Sequence, residues 1–210
     1  LLRLTSLLSG KYEDLMNTVD GKSLKSNYIE DAYYQKLIND FSNWRRGDQE
    51  IRDPVFRDAC KRFLNREARF LDETRLEDWL KLYSLECIYW VPGSADGGDP
   101  RKEVAISFDD RRRLEDRIFR LATGAAWSQH PESRTIRLIS NLEVYGTDEL
   151  QVFMAKSNFQ VTELRAGETR LWSGWYAHRL LDVGNEFKIL VKQVNLINYD
   201  QNLRNPSIVL

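Results

Sequence analysis

From Arg134 to near the end of the chain the hydrophobic pattern repeats every two residues, and this constrains the fold more than anything else in the sequence. Ile136, Leu138, Ser140, Leu142 and Val144 alternate with their neighbours, which predicts that they share one face of a strand. Turns at Gly146-Thr147-Asp148, Ala166-Gly167-Glu168 and Val183-Gly184-Asn185 separate this run from runs at 152–164, 171–181 and 187–197. Long runs joined by short Gly-containing turns predict an antiparallel meander. In the last run the inward phase slips, from Phe187, Ile189 and Val191 to Val194 and Leu196. One extra residue near Lys192, a β-bulge, accounts for the slip and bends the sheet. Gly174, inside the third run, is read as serving the same bend.

Before Arg134 the period is helical. Pro54 opens a helix with Asp53 as its N-cap. Phe56, Cys60, Phe63, Leu64, Phe70 and Leu71 form its apolar stripe, with Arg57, Lys61, Arg62, Arg66 and Arg69 outside. A short helix over 75–83 carries Leu76, Trp79, Leu80 and Tyr83, and a strand at 87–91 is stopped by Pro92. The segment 93–100 reads as loop. A third helix over 109–122 turns Leu114, Ile118 and Leu121 inward. Helices followed by a long curved sheet predict an α+β cone, with about three helices on the concave side. Residues 1–53 are polar, with a helical stripe of Ile29, Tyr33, Leu37, Ile38 and Phe41 over 28–44. They are expected to be an extension, partly helical, and 54–210 the main domain.

Charge and composition then exclude function classes. With 31 Lys plus Arg against 32 Asp plus Glu, the net charge of −1 offers no basic surface for nucleic acid or an anionic membrane. No apolar stretch reaches the length of a membrane span, and the opening Leu1–Leu8 run, broken by Arg3, Thr5 and Ser6, is not expected to be a signal peptide. Two cysteines, Cys60 and Cys87, build no disulfide scaffold and sit in no metal spacing; a cytoplasmic setting is the simpler expectation. The two histidines, His130 and His178, are too few and too far apart for a His-rich iron or zinc site. Phosphate-loop and nucleophile-elbow motifs are absent. His178 could serve as a general base only with a carboxylate partner and a pocket; a hydrogen-bonded strand histidine is the reading favoured here. Asp109-Asp110 ahead of Arg111-Arg112-Arg113 is read as capping and solvated charge, and Glu67, Asp72, Glu77 and Asp78 as exposed helix-face carboxylates.

Three stretches carry a resemblance. Phe63-Leu64-Asn65-Arg66-Glu67-Ala68-Arg69-Phe70-Leu71-Asp72-Glu73 with Trp79 and Leu80 resembles the opening helices of the small (β) subunits of aromatic-ring-hydroxylating dioxygenases. The stretch from Asp109 through Leu121, Thr123-Gly124-Ala125-Ala126-Trp127-Ser128-Gln129, Pro131-Glu132-Ser133-Arg134-Thr135 and Ser140-Asn141-Leu142 resembles that family's central segment. Lys192–Leu210 resembles its closing strand and tail. The resemblance covers about 54–210 and implies a cystatin-like, nuclear-transport-factor-like cone. It also implies a three-plus-three heterohexamer with large (α) subunits, which hold a Rieske [2Fe–2S] centre and a mononuclear non-haem iron. A Rieske centre takes two Cys and two His and a facial-triad iron two further His, more imidazole than this chain holds. The expectation is therefore a structural subunit without a cofactor of its own, meeting a ferredoxin or reductase only indirectly. Arg117, Trp127, Gln129, Arg134 and Asn141 are the candidate subunit-interface residues, Trp and Arg being enriched among buried anchors; Arg134 and Asn141 serve equally well as internal clasps. The competing classes are a free-standing dehydratase or isomerase with a His178 base, and a ligand carrier or adaptor.

Overall fold

The computed structural model describes residues 31–95, 97–122, 131–184, 186–201 and 208–210. The chain divides into two compact units, 1–35 and 36–210. The described part of the first is the opening turn of helix α1 (Asp31–Ser42); the remaining elements belong to the second.

Helix α2 (Pro54–Asp72) starts where expected. The Asp53 carboxylate accepts the N–H groups of Val55 and Phe56 at 3.4 and 2.9 Å, and Pro54, lacking an N–H, loses nothing in the first turn. Helix α3 is shorter than the periodicity suggests, Leu76–Leu80, and Tyr83 instead opens strand β1 (Tyr83–Pro92). Strand β2 (Ala105–Asp110) was hidden in the sequence; its two terminal aspartates are poor strand formers, and pairing with β1 overrides that propensity. Helix α4 therefore begins at Arg111 and runs to Ala122. Asp110 does cap it, accepting the Arg113 N–H at 2.8 Å. Asp109 corrects the expectation of solvated charge: it is buried and bonded within the protein.

Strands β3 (Arg134–Gly146), β4 (Val152–Arg165), β5 (Glu168–Asp182) and β6 (Phe187–Leu196) form the antiparallel meander. The full sheet has the order β2-β1-β6-β5-β4-β3, and β1 lies parallel to β6. Helices α2, α3 and α4 put Cys60, Phe63, Leu64, Trp79, Leu114 and Ile118 onto the inner face, where they join Tyr89, Phe153, Phe159, Tyr176, Ile189 and Val194 in one core. Residues 36–44 lie on the outer face instead. Phe41 meets Trp90 edge-on at 6.2 Å, Trp44 meets Tyr145 at 5.6 Å, and Asp40 pairs with Arg179 at 3.0 Å.

Two bulges decide which side chains face which way. In β6, Arg179 pairs with Val191 and Leu180 with Ile189, so the extra residue is Leu190, two before Lys192. Val191 consequently shares the outer face with Arg179, and Lys192 turns inward opposite His178. In β3 the pairing jumps between Ser140 and Glu143, with Asn141 in the left-handed region at φ 52. This second bulge corrects the single-face reading of β3. Leu142 and Val144 face inward, whereas Ile136, Leu138 and Ser140 face outward, and Ile136 and Leu138 are each 61% exposed. At Gly174 an added Cβ would lie 1.9 Å from the Asn195 carbonyl oxygen, so close backbone approach is what requires glycine there.

Candidate functional site

The inner face holds an ionised cluster around Glu67. Helix α2 carries Glu67 on the same stripe as Cys60, Phe63 and Leu64, three or four residues on, and the carboxylate is driven into the core at 2% exposure. Its Oε1 accepts from Trp79 Nε1 at 3.1 Å and from Lys192 Nζ at 2.9 Å, and its Oε2 faces His178 Nε2 at 3.1 Å. The Lys192 ammonium also sits 4.3 Å from the Tyr176 ring centroid, a cation–π contact. Tyr176 in turn stacks on Phe159 at 4.0 Å.

The charges follow from this geometry. Burial raises the proton affinity of Glu67, but Lys192 and His178 outweigh it and hold the carboxyl well below the usual range. Desolvation lowers the affinity of both His178 and Lys192 for a proton, with Glu67 opposing. The cluster is thus a carboxylate and an ammonium beside a neutral imidazole. His178 has the carboxylate partner that a general base needs, yet its side chain has 0% exposure, which denies it a substrate. The strand-histidine reading stands, and the exposed-carboxylate reading of Glu67 is corrected. The sequence did hold the signal, because residue 67 falls on the apolar stripe of α2.

Other buried and half-buried polar groups are tied to one another. Asp72, also read as solvated, accepts from the Arg137 backbone N–H and from Thr135 Oγ1, each at 2.8 Å, and pairs with the Arg137 guanidinium. Arg137 reaches on to the Val209 carbonyl. Glu163 accepts from Trp172 Nε1 at 2.9 Å and Ser133 Oγ at 2.6 Å. Tyr89 Oη receives the Leu210 N–H at 3.1 Å.

Of the candidate interface residues, Arg117 turns inward. Its Nη2 lies 2.5 Å from both Ser107 Oγ and Asp109 Oδ2, and its guanidinium sits 5.9 Å from the Tyr89 ring centroid. Arg134 is exposed at the start of β3, and Asn141 is exposed at the bulge. Trp127 and Gln129, like His130, lie outside the described residues. Sequence reasoning missed the outward apolar residues Ile136, Leu138, Leu171 and Ile197; for Ile136 and Leu138 the reason is the β3 bulge, which sets them on the face opposite Val144.

Among the described residues, the two cysteines and His178 do not fit an iron–sulfur or iron centre. Burial pushes the thiols of Cys60 and Cys87 up to about 12, which keeps them protonated and poor ligands, and His178 is committed to Glu67. Among the described residues no group of three His, Cys, Asp or Glu is arranged to hold a metal, and no helix is long and apolar enough to cross a membrane.

The family described as Ring hydroxylating beta subunit matches residues 66–200. The chain belongs to that family. The β subunit of benzoate 1,2-dioxygenase from Acinetobacter baylyi is 33% identical over 151 residues, covering 70% of this chain and 89% of that protein. Among solved structures, the β subunit of benzoate 1,2-dioxygenase from Burkholderia mallei matches with a TM-score of 0.59 at 26% identity, covering 71% of this chain and 95% of that one. A naphthalene 1,2-dioxygenase chain shares the fold at a TM-score of 0.67 and 17% identity, over 91% of this chain and 98% of its own. The family expected from residues 63–73, 109–135 and the closing strand is the one that matches.

Proposed function

We propose that the chain is the structural small subunit of an aromatic-ring-hydroxylating dioxygenase, holding the catalytic large subunits together and performing no chemical step itself. The observation that carries this reading is the sealing of His178. The strand histidine that a cone-shaped enzyme would use as its base is sealed against Glu67 and Lys192. A relative is the β subunit of a benzoate dioxygenase, which supports an oxidoreductase complex of aromatic breakdown as the setting. In this reading three small and three large subunits assemble, in the cytoplasm. The Rieske [2Fe–2S] centre and the mononuclear iron belong to the large subunit, and electrons pass between neighbouring large subunits whose spacing the small subunits keep fixed. Ferredoxin or reductase contacts are indirect.

Residues 1–53 act as an extension of the 54–210 body; the burial of Leu37, Phe41 and Trp44 in that body supports this for the extension's end. Arg134, Asn141, Trp127 and Gln129 remain in the proposed contact region, whereas the inward bonds of Arg117 favour a clasp. The test is co-expression with the large oxygenase subunit of the same organism, followed by size-exclusion chromatography with visible absorption. The expected result is a colourless lone chain that co-elutes with an iron-coloured partner. An isolated chain that catalyses a reaction, or that binds a small ligand tightly and ignores the large subunit, overturns the proposal.

A further inference from the structure

The outer face of the sheet carries a cleft of about 690 Å³, within the roughly 300–1,000 Å³ that small-molecule sites occupy. Three segments far apart in the chain build it. They are the end of α1 with residues 43–45, the loop at Ala95 and Gly98, and the sheet at Glu143, Tyr145 and Trp175. Its walls are aromatic. Phe41, Trp44, Tyr145 and Trp175 all line it, and Trp44 meets Tyr145 edge-on at 5.6 Å.

Two charged side chains line the cleft, and they differ in how they are satisfied. Glu143 accepts from Tyr145 Oη at 2.9 Å and pairs with Lys156 at 3.6 Å. The Arg45 guanidinium has no carboxylate or hydrogen-bond partner among the described residues. It sits instead 5.9 and 5.8 Å from the ring centroids of Trp44 and Trp175. Arg46, next in the chain, and Arg179, also on the outer face, do find acids: Asp148 at 3.6 Å for the first, Asp40 and Glu149 at 3.0 and 2.7 Å for the second. Held over rings in this way, a guanidinium keeps its fork of N–H donors for a carboxylate, which it takes bidentately.

These features select the ligand. A cation is disfavoured, because Arg45 and Lys156 already stand 5.8 and 5.9 Å from the Trp175 ring centroid and the carboxylate of the cleft is taken. A neutral ring would leave the Arg45 donors to water. A ring that carries a carboxylate satisfies both parts of the site, with its face against the aromatic walls and its charge on the guanidinium. No lining residue is a histidine or a cysteine, so the cleft holds a ligand without transforming it.

We propose that this cleft is a binding site for an aromatic carboxylate, seated against Trp44 and Trp175 and held by Arg45. The site goes beyond the structural-subunit reading and does not depend on it.

The test is calorimetric titration of the full chain with 2-naphthoate, set against neutral 2-naphthamide and cationic (2-naphthylmethyl)trimethylammonium. The expected result is one saturable site for the carboxylate. Binding should be weaker by roughly tenfold or more for the amide, for the cation and for Arg45→Met, the scale of a lost charge-assisted hydrogen bond. Arg45 is exposed, so the Arg45→Met chain should melt as the wild type does. Arg62→Met, at an exposed arginine of α2, is the control and should keep full affinity. Absence of saturable binding overturns the site. An amide or a cation that binds as tightly as the carboxylate, or an Arg45→Met chain with wild-type affinity, overturns it too. Assembly with the large subunit, followed by size exclusion on the same samples, is a separate readout. A chain that assembles without binding the probe overturns the cleft alone, and one that binds the probe without assembling overturns the structural-subunit reading alone.

Discussion

His178 Nε2 and Glu67 Oε2 lie 3.1 Å apart in the interior of the sheet's helix-covered face, at 0% and 3% side-chain exposure. The two residues come from β5 and α2, 111 positions apart. Their pairing turns the one histidine of the long strands into a structural group. Lys192 completes the cluster from β6, where the Leu190 bulge turns it inward.

Removing Glu67 leaves the Lys192 ammonium buried without a counter-charge. Glu67→Ala is expected to cost about 3–5 kcal/mol of folding stability, the range found when one partner of a buried pair is deleted. Glu67→Leu combined with Lys192→Met should recover much of the loss. Thermal or urea denaturation of the lone chain measures both, and a single-variant loss under about 1 kcal/mol would contradict the geometry.

The same cluster sets a pH dependence. Burial keeps His178 neutral in the native state, while the unfolded chain takes up its proton near the ordinary 6.5. Glu67 is ionised in the native state below its ordinary 4.5. In both cases the unfolded state binds the proton first as pH falls, so the contributions of these two residues are full above about pH 7 and decline through the acid range. His178→Gln should flatten the decline between about pH 7 and 5 and leave the steeper loss below it. Urea midpoints at several pH values would check this, and an unchanged slope for the variant would refute it.

Gly174→Ala forces a methyl into the space of the Asn195 carbonyl. Overpacking against backbone is expected to cost at least 1–3 kcal/mol. The melting temperature of the variant should fall by several degrees, more than that of Gly167→Ala, where space is open and only the positive φ of 81 penalises the change.

Asn141 adopts φ 52 at the β3 bulge. Asn141→Gly should be nearly neutral for folding, and Asn141→Val should cost about 1–2 kcal/mol, since a branched side chain is penalised in the left-handed region. If Asn141→Gly also leaves assembly with the large subunit intact, the residue is a bulge former and not a contact.

Arg134 is exposed at the start of β3. Arg134→Ala is expected to weaken assembly by about 2 kcal/mol if the guanidinium is an interface anchor, with the lone chain melting as before. Trp127→Ala is expected to act in the same sense. Equal losses in the lone chain and in the complex would make either residue an internal clasp.

The sequence by itself determined the α+β order, the meander, the capped start of α2 and a count of imidazoles too low to supply both a Rieske centre and a mononuclear iron. Periodicity and capping are local, and residue counts need no geometry. Even Glu67 was legible, since it sits on the stripe of α2. What only the tertiary structure decided came from pairings between distant segments: β1 beside β6, β2 recruited by β1, and His178 brought to Glu67. The bulge at Asn141 belongs with these. It exchanges inward for outward along β3, because an extra residue in a period of two reverses every side chain beyond it. That reversal separates the core residues Leu142 and Val144 from the exposed Ile136 and Leu138, which no alternation within one strand could have told apart.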